Sequence, residues 1–152
     1  MSPGKVSAAV VVQKSALIDD MLEGVAGLPL ASLEEFTADA RTVAAAESYV
    51  RRALEILLDL GRHVVVKGLG KTALEYKDVP RALRAAGILN EVDGAALLEM
   101  AGYRNRLVHF YDEVTTPELY EICVRRMDDV RRVRDALLAW LREHAQSVDG
   151  DV

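Results

Sequence analysis

The chain has 152 residues, 51% of them hydrophobic and 28% charged, with a formal net charge of −5. That length suits one domain with a real core and is too short for two ordinary ones, and the apolar fraction argues against global disorder. The acidic balance excludes a protein that grips nucleic acid by bulk positive charge, so any nucleic-acid chemistry must come from a local site.

Taken in chain order, the sequence reads as helices throughout; no segment alternates apolar and polar residues as a half-buried strand would. The apolar run Ala8–Val12 stops at Gln13 and Lys14. It is shorter than a secretory core of roughly 7–15 residues and far below the ~20 of a membrane span, which points to a soluble cytoplasmic protein. A first helix is predicted from about Val6 to Gly24, ended by Gly27 and Pro29. Ser32-Leu33-Glu34-Glu35 is a capping box that starts a short helix or the first turn of a longer one. The clearest helix spans Thr42 to Val66, where Val43, Ala46, Val50, Ala53, Leu57, Leu60 and Val64 form one apolar stripe. Its opposite face carries Glu47, Arg51, Arg52, Glu55 and Arg62.

Gly68-Leu69-Gly70-Lys71-Thr72 breaks that pattern. It looks like the end of a phosphate loop, but the required earlier glycine is Val65 and the segment follows a helix, so it reads as an interhelix loop. A short helix follows from Asp78, a candidate N-cap, with Pro80 in its first turn and Gly87 ending it. Another should run from about Asp93 to His109. After a polar turn, Thr115 or Thr116 caps a last helix that runs to about Ala145 and turns Leu119, Cys123, Met127, Val130, Leu137 and Leu141 inward. The segment 147–152 is expected to be a flexible tail after one helical domain over 1–146. The architecture this predicts is all-α, an up-and-down bundle of four to five helices. Cys123 is the only cysteine, which excludes an internal disulfide and a cysteine-built zinc site. His63, His109 and His144 lack metal-ligand spacing, so neither a metal nor a cofactor is expected.

The segment Tyr103 to Tyr111 carries the chemistry. Leu97, Met100, Ala101, Leu107 and Val108 form the apolar stripe of its helix, and Arg104 projects into the middle of it. A guanidinium there needs a partner: either a structural carboxylate, with Asp59 and Glu55 as candidates, or a polar cleft or subunit interface. His109 lies about 140° round a straight helix from Arg104, so the two converge only if the helix ends or bends, or if a second subunit completes the site. A basic rim drawn from Arg104, Arg106, Arg125, Arg126, Arg131, Arg132 and Arg134 is one reading of the arginines. An ordinary solvated face is the other, because on the last helix they alternate with Asp128, Asp129 and Asp135.

Arg104, His109 and Tyr111 fall in the order R-x4-H-x-Y, and this segment resembles the motif helix of HepT-type toxins of the HEPN superfamily. Ala45 to His63 resembles that family's second long helix and Thr116 to Val133 its last, so the resemblance covers roughly Ala8 to Arg142. It implies a HEPN-like bundle and a metal-independent endoribonuclease of a type VII-like toxin–antitoxin pair. Such toxins form a homodimer, or a higher even-numbered assembly, with the Arg/His motifs facing each other across a cleft. His109 would then be general base or acid, Arg104 the phosphate and transition-state stabiliser, and Asn105 a helper, with RNA as substrate. Tyr111 would be the residue to which a cognate MntA-like nucleotidyltransferase antitoxin adds AMP. Asp59 and His63 are possible assistants from the neighbouring helix. The reading from a different class is a noncatalytic helical binding module that partners a minimal nucleotidyltransferase.

Overall fold

The computed structural model describes residues 4–109 and 114–152, so Tyr111 and Asp112 lie outside the described residues. The fold is the all-α bundle the sequence predicts. In order, α1 is Ala8–Ala26, α2 Leu33–Thr37, α3 Ala40–His63, α4 Asp78–Ala85, α5 Glu91–His109, α6 Thr116–Arg125 and α7 Met127–Glu143. A π-helical turn, Val64–Gly68, extends α3, and a 3₁₀ turn, Ala145–Ser147, follows α7. Among the described residues no helix is long and apolar enough to cross a membrane.

The predicted stripe makes α3 the central helix. Ala46, Val50, Ala53, Leu57, Leu60 and Val64 are completely buried, and α3 packs against every other α-helix. Each large aliphatic side chain withdrawn from water there contributes roughly 1.5–3 kcal/mol. Close approach is built in at Gly24, where an added Cβ would sit 2.6 Å from the Tyr49 ring, and at Gly61, where it would sit 2.7 Å from Val79.

Local capping chemistry behaves as read. Ser32 Oγ accepts from the Glu35 N–H at 3.1 Å and Thr115 Oγ1 from the Glu118 N–H at 3.2 Å. Gly87 ends α4 with φ 75°, a left-handed position that favours glycine.

Four features differ from the expectation. Asp78 is not an N-cap: it is the first residue of α4, and its carboxylate accepts from the Glu75 N–H at 3.0 Å. The α3 pattern leaves α-geometry at His63 instead of continuing to Val66; the β-branched run forms the π turn, in which the Leu69 N–H reaches the Val64 and Val65 carbonyls at 3.2 Å each. The last helix is two helices, broken at Arg126, whose guanidinium reaches back to Glu99 at 2.7 Å and forward to Asp129 at 3.1 Å. The segment expected as a flexible tail folds back on the N-terminus. Val6 donates to the Ser147 carbonyl at 2.8 Å, Asp149 donates to the Val6 carbonyl at 3.0 Å, and the Asp149 carboxylate caps α1 by accepting from the Ala8 N–H at 2.7 Å. Val6 and Val148 are both buried in this clasp.

His63 completes the same clasp: its Nε2 accepts from the Ser7 N–H at 2.9 Å. Burial pushes its pKa below the usual 6.5, with Lys67 and Lys14 pushing the same way. The unfolded chain therefore takes up a proton that the folded chain resists, so His63's contribution to stability is present above pH 6.5 and lost as the pH falls below it. The melting temperature should fall between pH 7.5 and 5.5, and less steeply in His63→Gln, which keeps an acceptor but does not titrate. Removing residues 147–152 should cost roughly 2 kcal/mol, from one lost helix cap and one exposed valine, read by thermal denaturation.

Candidate active site

Glu55, Asp59 and Arg62 recur on α3 at spacings of four and three, which places them on one face. That face meets α5, which supplies Arg104, Asn105 and His109, and the loop before α4, which supplies Tyr76 and Lys77. Between them lies an open cleft of about 760 Å³ lined by Arg62, Leu74, Glu75, Tyr76, Lys77, Arg104, Asn105 and His109. The two described motif residues, Arg104 and His109, thus share one cleft with Asn105, although they point in different directions round α5.

Tyr76 organises the cleft floor. The Arg104 and Arg62 guanidinium carbons each lie 4.7 Å from its ring centroid, within cation–π range. Its hydroxyl donates to Asp59 Oδ1 at 2.8 Å. Burial, reinforced by that bond, pushes the phenol pKa up to about 12 against the opposite pull of the two arginines. Tyr76 is therefore a fixed donor at neutral pH and serves to position its neighbours.

Arg104 finds its carboxylate in Glu55, one of the two candidates, with Nε 3.4 Å from Oε1. Asp59 instead takes the Tyr76 hydroxyl. Arg51 shares Glu55 at 3.5 Å, and Asn105 Oδ1 accepts from Arg104 Nη1 at 3.4 Å. These are long contacts, so Arg104 is held in place while its fork keeps donor capacity for a ligand.

The other expected residues fall elsewhere. His63 belongs to the terminal clasp. Arg106 ties α5 to α6 through a bidentate pair with Glu118, at 2.7 and 2.8 Å, which holds the Glu118 carboxyl below its ordinary pKa. The basic rim does not form as drawn. Arg125 pairs with Glu121, Arg131 with Asp128, Arg132 with Asp93 and Asp129, and Arg134 with Asp19 and Asp135. The cleft cations are Arg62, Lys77 and Arg104. The sequence reading missed Arg62 in this role, and its spacing from Asp59 was the available signal; Tyr76 and Lys77 come from a loop that gave none. Among the described residues no three His, Cys, Asp or Glu side chains gather as a metal-ligating group. Tyr76→Phe keeps the ring and drops the bond to Asp59; it should cost about 1 kcal/mol in thermal denaturation and leave the two arginines stacked.

The family model described as Ribonuclease HepT-like matches residues 18–137. Among curated proteins no sequence match is found. A solved toxin–antitoxin structure with AMP-PNP superimposes with a TM-score of 0.78 at 17% identity, covering 86% of this chain and 98% of that one. A tri-AMPylated HEPN toxin from Shewanella oneidensis in complex with MNT antitoxin gives 0.78 at 18% identity, covering 86% and 97%. The cytosolic protein of unknown function YutE from Bacillus subtilis gives 0.76 at 16% identity, covering 91% and 93%. At these identities the superpositions establish a shared fold, while the family match spans most of the sequence. The chain belongs to the HepT-like ribonuclease family.

Proposed function

We propose that this protein is a metal-independent endoribonuclease, the toxin of a toxin–antitoxin pair acting in the cytoplasm. The observation that carries the reading is the single cleft in which Arg104, Asn105 and His109 meet beside the cations Arg62 and Lys77. A phosphodiester drawn into it meets donors, and an imidazole stands within the same cleft.

The chemistry balances without a further reagent. His109 takes the proton of the ribose 2′-OH as its oxygen attacks phosphorus. The O2′–P bond forms, the P–O5′ bond breaks, and the leaving 5′ oxygen takes up a proton from an imidazolium or from water. The products are a 2′,3′-cyclic phosphate and a 5′-OH. Arg104 holds the non-bridging phosphate oxygens and stabilises the charge that builds on them, with Asn105 orienting its fork. A second copy of the chain, placed with its cleft opposite, gives the functional homodimer.

Control is by modification of Tyr111. Its phenol oxygen attacks the α-phosphorus of ATP on a partner nucleotidyltransferase of the MntA kind, forming a Tyr–AMP phosphodiester and releasing pyrophosphate. The product adds anionic bulk two residues after His109, which opposes entry of an RNA phosphate. The solved relatives described as a tri-AMPylated HEPN toxin with MNT antitoxin and as a toxin–antitoxin with AMP-PNP support this reading.

The test is cleavage of a broad RNA panel in excess chelator. His109→Ala and Arg104→Ala should each lower kcat by about 100-fold or more with the fold intact. Tyr111→Phe should cut RNA and gain no AMP-sized mass when co-expressed with the neighbouring nucleotidyltransferase. If wild type and His109→Ala leave the panel equally intact, the catalytic assignment falls and the binding-module reading replaces it.

A further inference from the structure

Arg62 stands apart among the described arginines by its buried Nε, which makes no hydrogen bond. Most others are matched to a carboxylate, including Arg41, Arg84, Arg106, Arg125, Arg126 and Arg131. Among the described residues Arg62 has no carboxylate partner. Its Nε is buried and makes no hydrogen bond, and its one bond is a long one, from Nη2 to the Leu74 carbonyl at 3.4 Å. A guanidinium carries five N–H donors, and leaving a buried one unmade costs stability. The side chain nonetheless stacks on the same Tyr76 ring as Arg104 and lines the same cleft.

Tyr76 thus acts as a spacer. With both guanidinium carbons 4.7 Å from one ring centroid, two cations are fixed within two ring distances of each other. Two like charges so close repel unless anions lie between or above them. Glu55 and Asp59 supply charge from the α3 side, but Glu55 contacts Arg104 and Asp59 is engaged by the Tyr76 hydroxyl. The open side of the pair is the cleft, whose lining adds a third cation, Lys77, and one carboxylate, Glu75. A ligand with phosphates repeated along a chain engages both at once, without dislodging either from the ring.

We propose that Arg62 is a second phosphate-binding residue of the cleft, holding a backbone phosphate of single-stranded RNA next to the one held by Arg104, with Tyr76 as the positioning residue that sets their separation. This deepens the ribonuclease reading and rests on it for the identity of the ligand. Arg62 lies apart from the reacting atoms, so its contribution is to binding and register: it raises affinity for a strand of at least two phosphates and leaves the chemical step at Arg104 and His109 unchanged.

The experiment measures binding and cleavage separately on the full chain. Binding is read by fluorescence anisotropy with a mixed-sequence 2′-O-methyl oligonucleotide, which lacks the attacking hydroxyl, across a range of salt. Arg62→Gln should weaken binding about tenfold, the loss of one charge-assisted contact. It should also reduce the slope of log K against log salt by about 0.7, the signature of one fewer neutralised phosphate on a single strand. Arg62→Lys should restore the slope, and Arg131→Gln, a surface pair on α7, should leave affinity and slope alone. In cleavage, Arg62→Gln should raise KM with kcat near wild type, whereas Arg104→Ala lowers kcat. An unchanged affinity and slope in Arg62→Gln overturns the proposal, as does the pattern of a mere brace, in which both Arg62 variants lower the melting temperature and neither moves the slope. If the Arg62 slope appears but wild type cuts no RNA, the second phosphate site stands and the nuclease reading fails by itself.

Discussion

A guanidinium placed in the apolar stripe of a packed helix is the constraint from which the rest of the site follows. Arg104 sits among Met100, Ala101 and Leu107, all buried, and its own side chain is only 21% exposed. Desolvating that charge unaided is costly, so each neighbouring element contributes something to offset it. From α3 comes the Glu55 carboxylate, from α5 the Asn105 carbonyl, and from the loop the face of Tyr76. This explains why a helix as apolar as α3 turns a polar row of Glu55, Asp59 and Arg62 toward one neighbour. It also explains why the chain spends a glycine-marked loop between α3 and α4: the loop has to return Tyr76 to a position over Arg104.

The elements that were legible in the sequence depend on neighbours a few residues away. The α3 stripe, the Ser32 and Thr115 caps and the Gly87 stop are set by spacings of three and four or by one backbone conformation, and the sequence displays these directly. What stayed hidden depends on contacts across the fold. The break at Arg126 contains neither glycine nor proline; it is held by a side chain reaching to Glu99 on another helix. The terminal clasp joins Val6 to Ser147 and Asp149, a pairing that a polar, glycine-containing end does not announce. Tyr76 is the sharpest case in the candidate site. Nothing in its local sequence says that its ring will lie under two arginines and its hydroxyl on Asp59.

The acidity of the chain takes a different meaning once the arginines are placed. A net charge of −5 opposes nonspecific attraction of a polyanion. On α7, Arg131, Arg132 and Arg134 are matched by Asp128, Asp129, Asp93, Asp19 and Asp135, so that face presents little net field. The cleft instead gathers Arg62, Lys77 and Arg104 on its lining with one carboxylate, Glu75, while Glu55 pairs with Arg104 and Asp59 takes the Tyr76 hydroxyl. Exposed charges are screened within about 8–10 Å at ordinary ionic strength, so a polyanion senses the cleft more strongly than the distant carboxylates once it is close. An acidic protein whose guanidinium donors gather in one cleft is therefore selective in where a strand can rest, at the expense of long-range capture.

The helical period sets the form of ligand that this cleft can hold. Arg104 and His109 are separated by about 140° round α5, and Asn105 lies between them in angle. Arg104 faces α3 and is largely buried, whereas His109 is exposed on the last described turn. One cleft reaches both because it is open and follows the flank of the helix, with Asn105 along its length. An extended chain that follows the cleft meets the guanidiniums with one part and the imidazole with another. In the proposed reaction these parts are the scissile phosphate and the ribose 2′-OH beside it, so the cleft has to bring the Arg104 fork and the imidazole to neighbouring atoms of one nucleotide step despite their angular offset round α5.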